Sequence, residues 1–288
     1  MRDYRELIDA SGLNAETDDG QNGRYARVAV LDSGIPTVNG IISYGTRNFT
    51  SGSIQDNTHS TFIGSILFGR SGIHGICAEA AAFFANVFNA GLARPDVVAK
   101  AIDCAVSEWR VDVIKLSLGF PRTETCPKAI QKACRRAYEA GTVIVAAAGN
   151  DGGTALWPAA LPEVICVGST NGLEKAEFSN TGEIDFVVPG VDLEGLSPTG
   201  EIITKSGTSF SSALVTGLAA LVVSRARSHG IVLKPKEVKE ELIALCRDLG
   251  RPGWDEETGY GSPFVRAIQK PRIFGRIMVA LKRLFRRN

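Results

Sequence analysis

What most constrains this chain is a stretch that leaves no helical face for water. From Ala213-Leu214-Val215 through Leu218 to Val223 it carries no charged residue. A helix of this composition must lie at the centre of a fold, covered on every side. A small polar turn, Ser206-Gly207-Thr208-Ser209, leads into it. The first turn of a helix offers free backbone N–H groups and the positive end of a dipole. That setting suits a nucleophilic hydroxyl whose product is an oxyanion. An ordinary Ser/Thr helix cap accounts for the turn equally well on its own.

The rest of the chain supplies what a buried helix needs around it. Arg27-Val28-Ala29-Val30-Leu31 is a continuous apolar run, as expected of a strand buried on both faces of a parallel sheet. Further strands are expected over residues 80–87, 111–119, 142–148, 164–168 and 186–188. Helices are expected from His59, over 95–108 (with Pro95 in the first turn) and over 127–140, where Gly141 stops the last. This alternation predicts an α/β fold: a doubly wound, mostly parallel sheet with helices on both faces. No repeat or internal linker divides it. The expected organisation is an N-terminal extension over 1–23, one domain over 24–268 and a C-terminal tail over 269–288. Within the extension a short helix over 4–13 and a polar linker over 15–23 are expected.

Two upstream stretches give the Ser209 turn a chemical context. Asp32-Ser33-Gly34 follows the first apolar run, so Asp32 stands at the carboxyl end of a strand, where open α/β sheets place their sites. An isolated Asp there would more often cap a turn. Asn57-Thr58-His59-Ser60-Thr61 puts an imidazole at the start of a helix among small residues, free to face a neighbour. His74 and His229 lack such a setting and are assigned to the surface or to loops. No G-x-G-x-x-G follows residues 28–31, which weighs against a dinucleotide site.

Asp32-Ser33-Gly34, His59-Ser60-Thr61, Ala147-Ala148-Gly149-Asn150 and Gly207-Thr208-Ser209 together resemble the motifs of the subtilisin-like serine proteases, in that family's order. Ser117-Leu118-Gly119, Phe178-Ser179-Asn180, Val188-Pro189-Gly190 and Gly259-Tyr260-Gly261 support the likeness, which covers roughly residues 24–268. The resemblance implies a serine endopeptidase in which His59 activates Ser209, Asp32 orients His59, and Asn150 with the Ser209 N–H binds the oxyanion. It also implies that Ser117, Leu118 and Gly119 form an edge for an extended peptide. Ala147, Ala148 and Gly149 then line the pocket for the residue before the cut, and Leu156 aligns with the pocket floor. Two further uses of the same motifs are joining of peptide ends through the same acyl-enzyme and an inactive peptide-binding scaffold.

The sequence departs from the family at Ser60, Phe210 and Ser212, where Gly, Met and Pro are usual. The segments 68–78 and 88–95 are short, and the family's calcium loop looks absent from the first. No cofactor or metal is expected. The stretch ahead of the first strand is too short for the family's usual prodomain, which points to an intracellular enzyme or a chain already trimmed.

Composition excludes little but helps with partners. The chain is 44% apolar and 22% charged, with no leader-like start and no apolar run judged long enough to cross a bilayer. A cytoplasmic protein is therefore expected, and the family resemblance implies that it acts on a peptide or protein. Its six cysteines are scattered without C-x-x-C spacing and are expected to be free thiols, although Cys126 and Cys134 are near enough to pair. Residues 270–288 carry seven Lys/Arg and no acid, so with the whole chain at +1 the remainder is at −6. That remainder does not suit nucleic acid. The tail has helical apolar spacing and a basic face. It suits an anionic membrane surface, an acidic partner, or docking onto its own acidic domain.

Overall fold

The computed structural model describes residues 2–3, 21–54, 56–122 and 125–263. The expected helix over 4–13, the linker up to residue 20 and the tail over 269–288 lie outside the described residues. The end of the expected linker is a 3-10 turn, Gln21–Gly23.

Eight strands form the central sheet. They are β1 (Arg27–Asp32), β2 (Ser43–Asn48), β3 (Ala81–Asn86), β4 (Val113–Leu116), β5 (Val143–Ala147), β6 (Val164–Asn171), β7 (Glu174–Lys175) and β8 (Phe186–Pro189). The order runs β7-β6-β5-β4-β1-β3-β2, with β8 also paired to β6. Every pairing is parallel except the β6–β7 hairpin. Crossovers between parallel strands are usually helical, and among the described residues five helices surround the sheet: α1 (Thr58–Phe68), α2 (Pro95–Ser107), α3 (Lys128–Glu139), α4 (Thr208–Ser228) and α5 (Pro235–Leu245). Between β8 and α4 lies an antiparallel hairpin, Leu193–Leu196 with Ile202–Lys205.

The alternation of side chains along each strand divides the core into two layers. Val28, Val30, Val113, Val143 and Val145 face one layer with α1, α4 and α5. Ala29, Leu31, Ile114, Leu116, Ile144 and Ala146 face the other, with α2 and α3. Helix α4 is the centre of the first layer, and every residue from Phe210 to Ser224 is buried. Burying each Leu or Val there contributes about 1.5–3 kcal/mol. By length and composition α4 is long enough to cross a membrane, contrary to the expectation from sequence. However, 89% of its apolar window is buried inside the domain, so the same composition serves a core helix.

The expected strands and helices appear with ends within three residues of those expected, some shorter (Val113–Leu116) and some longer (Val164–Asn171). Strand β2, the hairpin and α5 are additions that the sequence pattern does not assign. The short segment after α1 folds into small strands, Arg70–Ser71 and Ile73–His74, which places half-buried His74 in a strand rather than a loop. His229 is exposed directly after α4, as expected. All six cysteines are free.

Candidate active site

The carboxyl ends of β1, β4 and β5 and the starts of α1 and α4 meet at one edge of the sheet. Asp32 is the last residue of β1 and is only 1% exposed. Its Oδ1 accepts from the Ser33 backbone N–H at 2.7 Å and pairs with His59 Nδ1 at 2.7 Å. Among the described residues its other oxygen, Oδ2, has no hydrogen-bond partner. Burial pushes the Asp32 carboxyl up. The attraction and hydrogen bond of His59, with smaller contributions from Lys115 and Ser117, outweigh burial and hold it below the ordinary carboxylate range.

His59 is the second residue of α1, and its side chain is 30% exposed. Asn57 holds the loop before it, because its Nδ2 donates to the Ile35 carbonyl at 3.0 Å. Phe210, the residue after Ser209, packs its ring 5.3 Å from the His59 ring and 4.6 Å from Phe62. The bulkier residue at that position thus supports the imidazole and brings the starts of α1 and α4 together. Ser60 donates to the Asn57 carbonyl and Ser212 to the Ser209 carbonyl, so both departures from the family pattern tie down local backbone.

Ser209 is the second residue of α4, after Gly207. No hydrogen bond joins its hydroxyl to His59 among the described residues; such bonds are often long until substrate binds. Asn150 follows β5 and is anchored by its oxygen, which accepts from the Thr208 N–H at 2.8 Å and the Thr208 hydroxyl at 2.9 Å. With Oδ1 occupied in this way, the two N–H donors of Nδ2 remain for a ligand oxygen at the mouth of α4.

Ser117-Leu118-Gly119 continues from the end of β4, and Phe120 then pairs with Trp157 through two backbone hydrogen bonds. Ala147 ends β5, and Ala148 and Gly149 follow it. Gly149 has φ +121°, and a Cβ there would lie 2.3 Å from Asn180 Nδ2, so only glycine fits. Half-buried Leu156 sits between these two segments, with its backbone N–H on the Ala148 carbonyl. A Cβ on Gly119 would lie 2.5 Å from Leu156 Cδ1, and one on Gly149 would lie 3.0 Å from Leu156 Cγ. Leu156 thus lies against both Gly119 and Gly149.

A half-buried serine, a carboxylate-paired imidazole and an amide donor at a helix mouth are the kind of groups that acyl transfer uses. The Subtilase family matches residues 23–261. The chain belongs to the subtilase family. It is a subtilisin-like serine endopeptidase, with peptides or proteins as its substrate class. It is similar to the minor extracellular protease Epr of Bacillus subtilis (strain 168), at 31% identity over 253 residues, 84% of this chain but 38% of that protein. It is also similar to an intracellular serine protease of Paenibacillus polymyxa, at 32% identity over 300 residues, 96% of this chain and 89% of that protein. Among solved structures, the prenylagaramide maturation protease PagA superposes with a TM-score of 0.75 at 27% identity, covering 89% of this chain and 94% of that one.

Sequence reasoning did not single out one buried residue beside these groups. Lys115, in the middle of β4, is completely buried, and its Nζ donates to the Ser117 hydroxyl. Burial pulls its ammonium down to about 7, against the opposing attraction of Asp32. The signal was a single cation inside the apolar run Val113-Ile114-Lys115-Leu116.

Proposed function

We propose that this subtilase cuts peptide bonds through Asp32, His59 and Ser209, with Asn150 in the oxyanion site. The observation that carries the reading is the 2.7 Å pairing of His59 Nδ1 with a buried Asp32 oxygen. With Nδ1 engaged, His59 Nε2 is left as the base for a hydroxyl. Ser209 Oγ attacks the carbonyl carbon, and its proton passes to Nε2. Asp32 stabilises the imidazolium that forms. The tetrahedral oxyanion accepts from Asn150 Nδ2 and the Ser209 N–H. His59 then protonates the departing amine, and water hydrolyses the acyl-enzyme by the reverse sequence of proton transfers.

The substrate is extended when bound, pairing with the Ser117–Gly119 segment. Its side chain before the cut enters the space between that segment and Ala147–Gly149, over Leu156. We assign a precursor peptide inside the cell as the substrate class. Similarity to a maturation protease and to an intracellular serine protease supports this reading. The test is incubation of a precursor-peptide panel with the full chain and with Ser209→Ala, followed by product masses. The reading expects two fragments whose masses sum to that of the intact peptide plus one water, produced by the wild type alone. Joined or cyclic products would assign the acyl-enzyme to an amine acceptor instead. Cleavage by Ser209→Ala would overturn the assignment.

A further inference from the structure

The Asp32–His59 pair is flanked by a second buried charge that the triad chemistry does not use. In register, Lys115 of β4 lies between Val30 of β1 and Val145 of β5. Both valines face the α1/α4 layer, so the lysine stem runs through apolar core on the side where Asp32 and His59 meet. A long side chain can bury its methylenes in this way and deliver its charge at one end. Here that end meets Ser117 Oγ, one step beyond the strand.

Each group at this point answers a deficiency in another. Asp32 is buried with Oδ2 unpartnered, an arrangement that is expensive unless a compensating charge is near. Lys115 is a buried ammonium whose electrostatic partner is Asp32. Ser117 lies between them. Its oxygen accepts from Nζ, so its own proton can turn only toward another acceptor. The Ser117 hydroxyl also favours the ionised form of Asp32, although no bond to Oδ2 meets hydrogen-bond geometry. The neighbouring elements bring few other charges. Asp32 comes from β1 and His59 from α1, Asp56 in the loop before α1 also feels the His59 charge, β5 presents Val145, and α4 carries no Asp, Glu, Lys, Arg or His from Thr208 to Val223.

We propose that Lys115 is a positioning residue of this active site: its buried ammonium holds Ser117 Oγ and balances the Asp32 carboxylate, and so sets how strongly Asp32 polarises His59. This rests on the triad reading above. The sign follows from electrostatics. A cation beside Asp32 cancels part of the field that stabilises the imidazolium, and its loss strengthens that field. Because burial brings the ammonium to about 7, the balance changes within the range where the enzyme would operate. The site therefore contains a proton-linked adjustment separate from the triad's own proton transfers.

The test compares the full-length wild type with Lys115→Met, which keeps the stem and removes the charge. Two rates are followed from pH 5.5 to 9.5: kcat/KM on a chromogenic peptide, and fluorophosphonate labelling of Ser209. In the variant, the ascending limb should move up by about one pH unit and KM should stay within about twofold, any fall in kcat coming from the freed Ser117 hydroxyl. A limb that superimposes on the wild type, whatever the fall in kcat, overturns the proposal, since a merely structural lysine would not move it. Should Lys115→Met fail to fold, the wild type decides by carbon-13 NMR of the lysine ε-carbons. One lysine should titrate near neutral pH and move when Ser209 is phosphonylated. Absence of such a coupled lysine refutes the proposal. If the wild type itself is neither labelled nor active, the triad reading fails and this inference fails with it. A labelled wild type with an unmoved variant sinks only the role of Lys115.

Discussion

Stability should rise with pH through neutrality because of Lys115. Its folded-state value is about 7 against an ordinary 10.5. Between these values the unfolded chain holds a proton that the folded chain has released, so the contribution to stability increases with pH. The penalty is fully present below about 7 and is relieved as pH climbs toward 10.5. The whole depression corresponds to about 5 kcal/mol spread over that window. From pH 6 to pH 8 only the first part is traversed, and the expected gain is about 1 kcal/mol. The assay is urea unfolding at pH 6, 7 and 8 in a Ser209→Ala background, which prevents self-digestion. Lys115→Met in the same background provides the baseline. Burial pushes the thiols of Cys77, Cys134, Cys166 and Cys246 up, which lowers stability at higher pH, but both proteins share that effect and the difference removes it. The gap between the two proteins should close by about 1 kcal/mol as pH rises. Parallel stability lines would refute a buried, titrating Lys115.

Three further outcomes follow from the site geometry. Asn150→Ala should lower kcat by about 10²–10³, the scale of one oxyanion donor in subtilisin, with little change in KM; steady-state kinetics checks this, and an unchanged kcat would remove Asn150 from the oxyanion site. Asp32→Asn should keep the fold but misorient the imidazole and lose about 10⁴ in kcat, as in trypsin. Leu156→Gly should deepen the space between Gly119 and Gly149 and favour Phe or Tyr before the cut by about tenfold or more in kcat/KM; a peptide library with unchanged preference would place the pocket elsewhere.

Much of this was legible in the chain because the site residues end or begin regular elements. Asp32 follows the four-residue apolar run 28–31, His59 and Ser209 are the second residues of α1 and α4, and each boundary is marked by small or polar residues. Strand β2 was not legible because its residues, Ser43–Asn48, are mostly exposed and show no buried run. Lys115 was hidden for a different reason. A lysine within a strand declares its setting only through register, and here it takes the pairing with Val30 and Val145 to turn it toward Asp32. The role of Phe210 likewise depends on two helix starts meeting in space, which linear spacing does not encode. Leu156 was legible only as aligned with the family's pocket floor, and the structure places it between Gly119 and Gly149.

The central claim is that Ser209 is the nucleophile, activated by the Asp32–His59 pair. It is tested most directly by intact-mass and peptide-mass analysis after reaction with a fluorophosphonate at neutral pH. The account predicts one adduct per chain, on the peptide carrying Ser209. Labelling should disappear in Ser209→Ala and slow severely in His59→Ala, with the circular dichroism of both variants unchanged. An adduct on another residue, or undiminished labelling of Ser209→Ala, would contradict it.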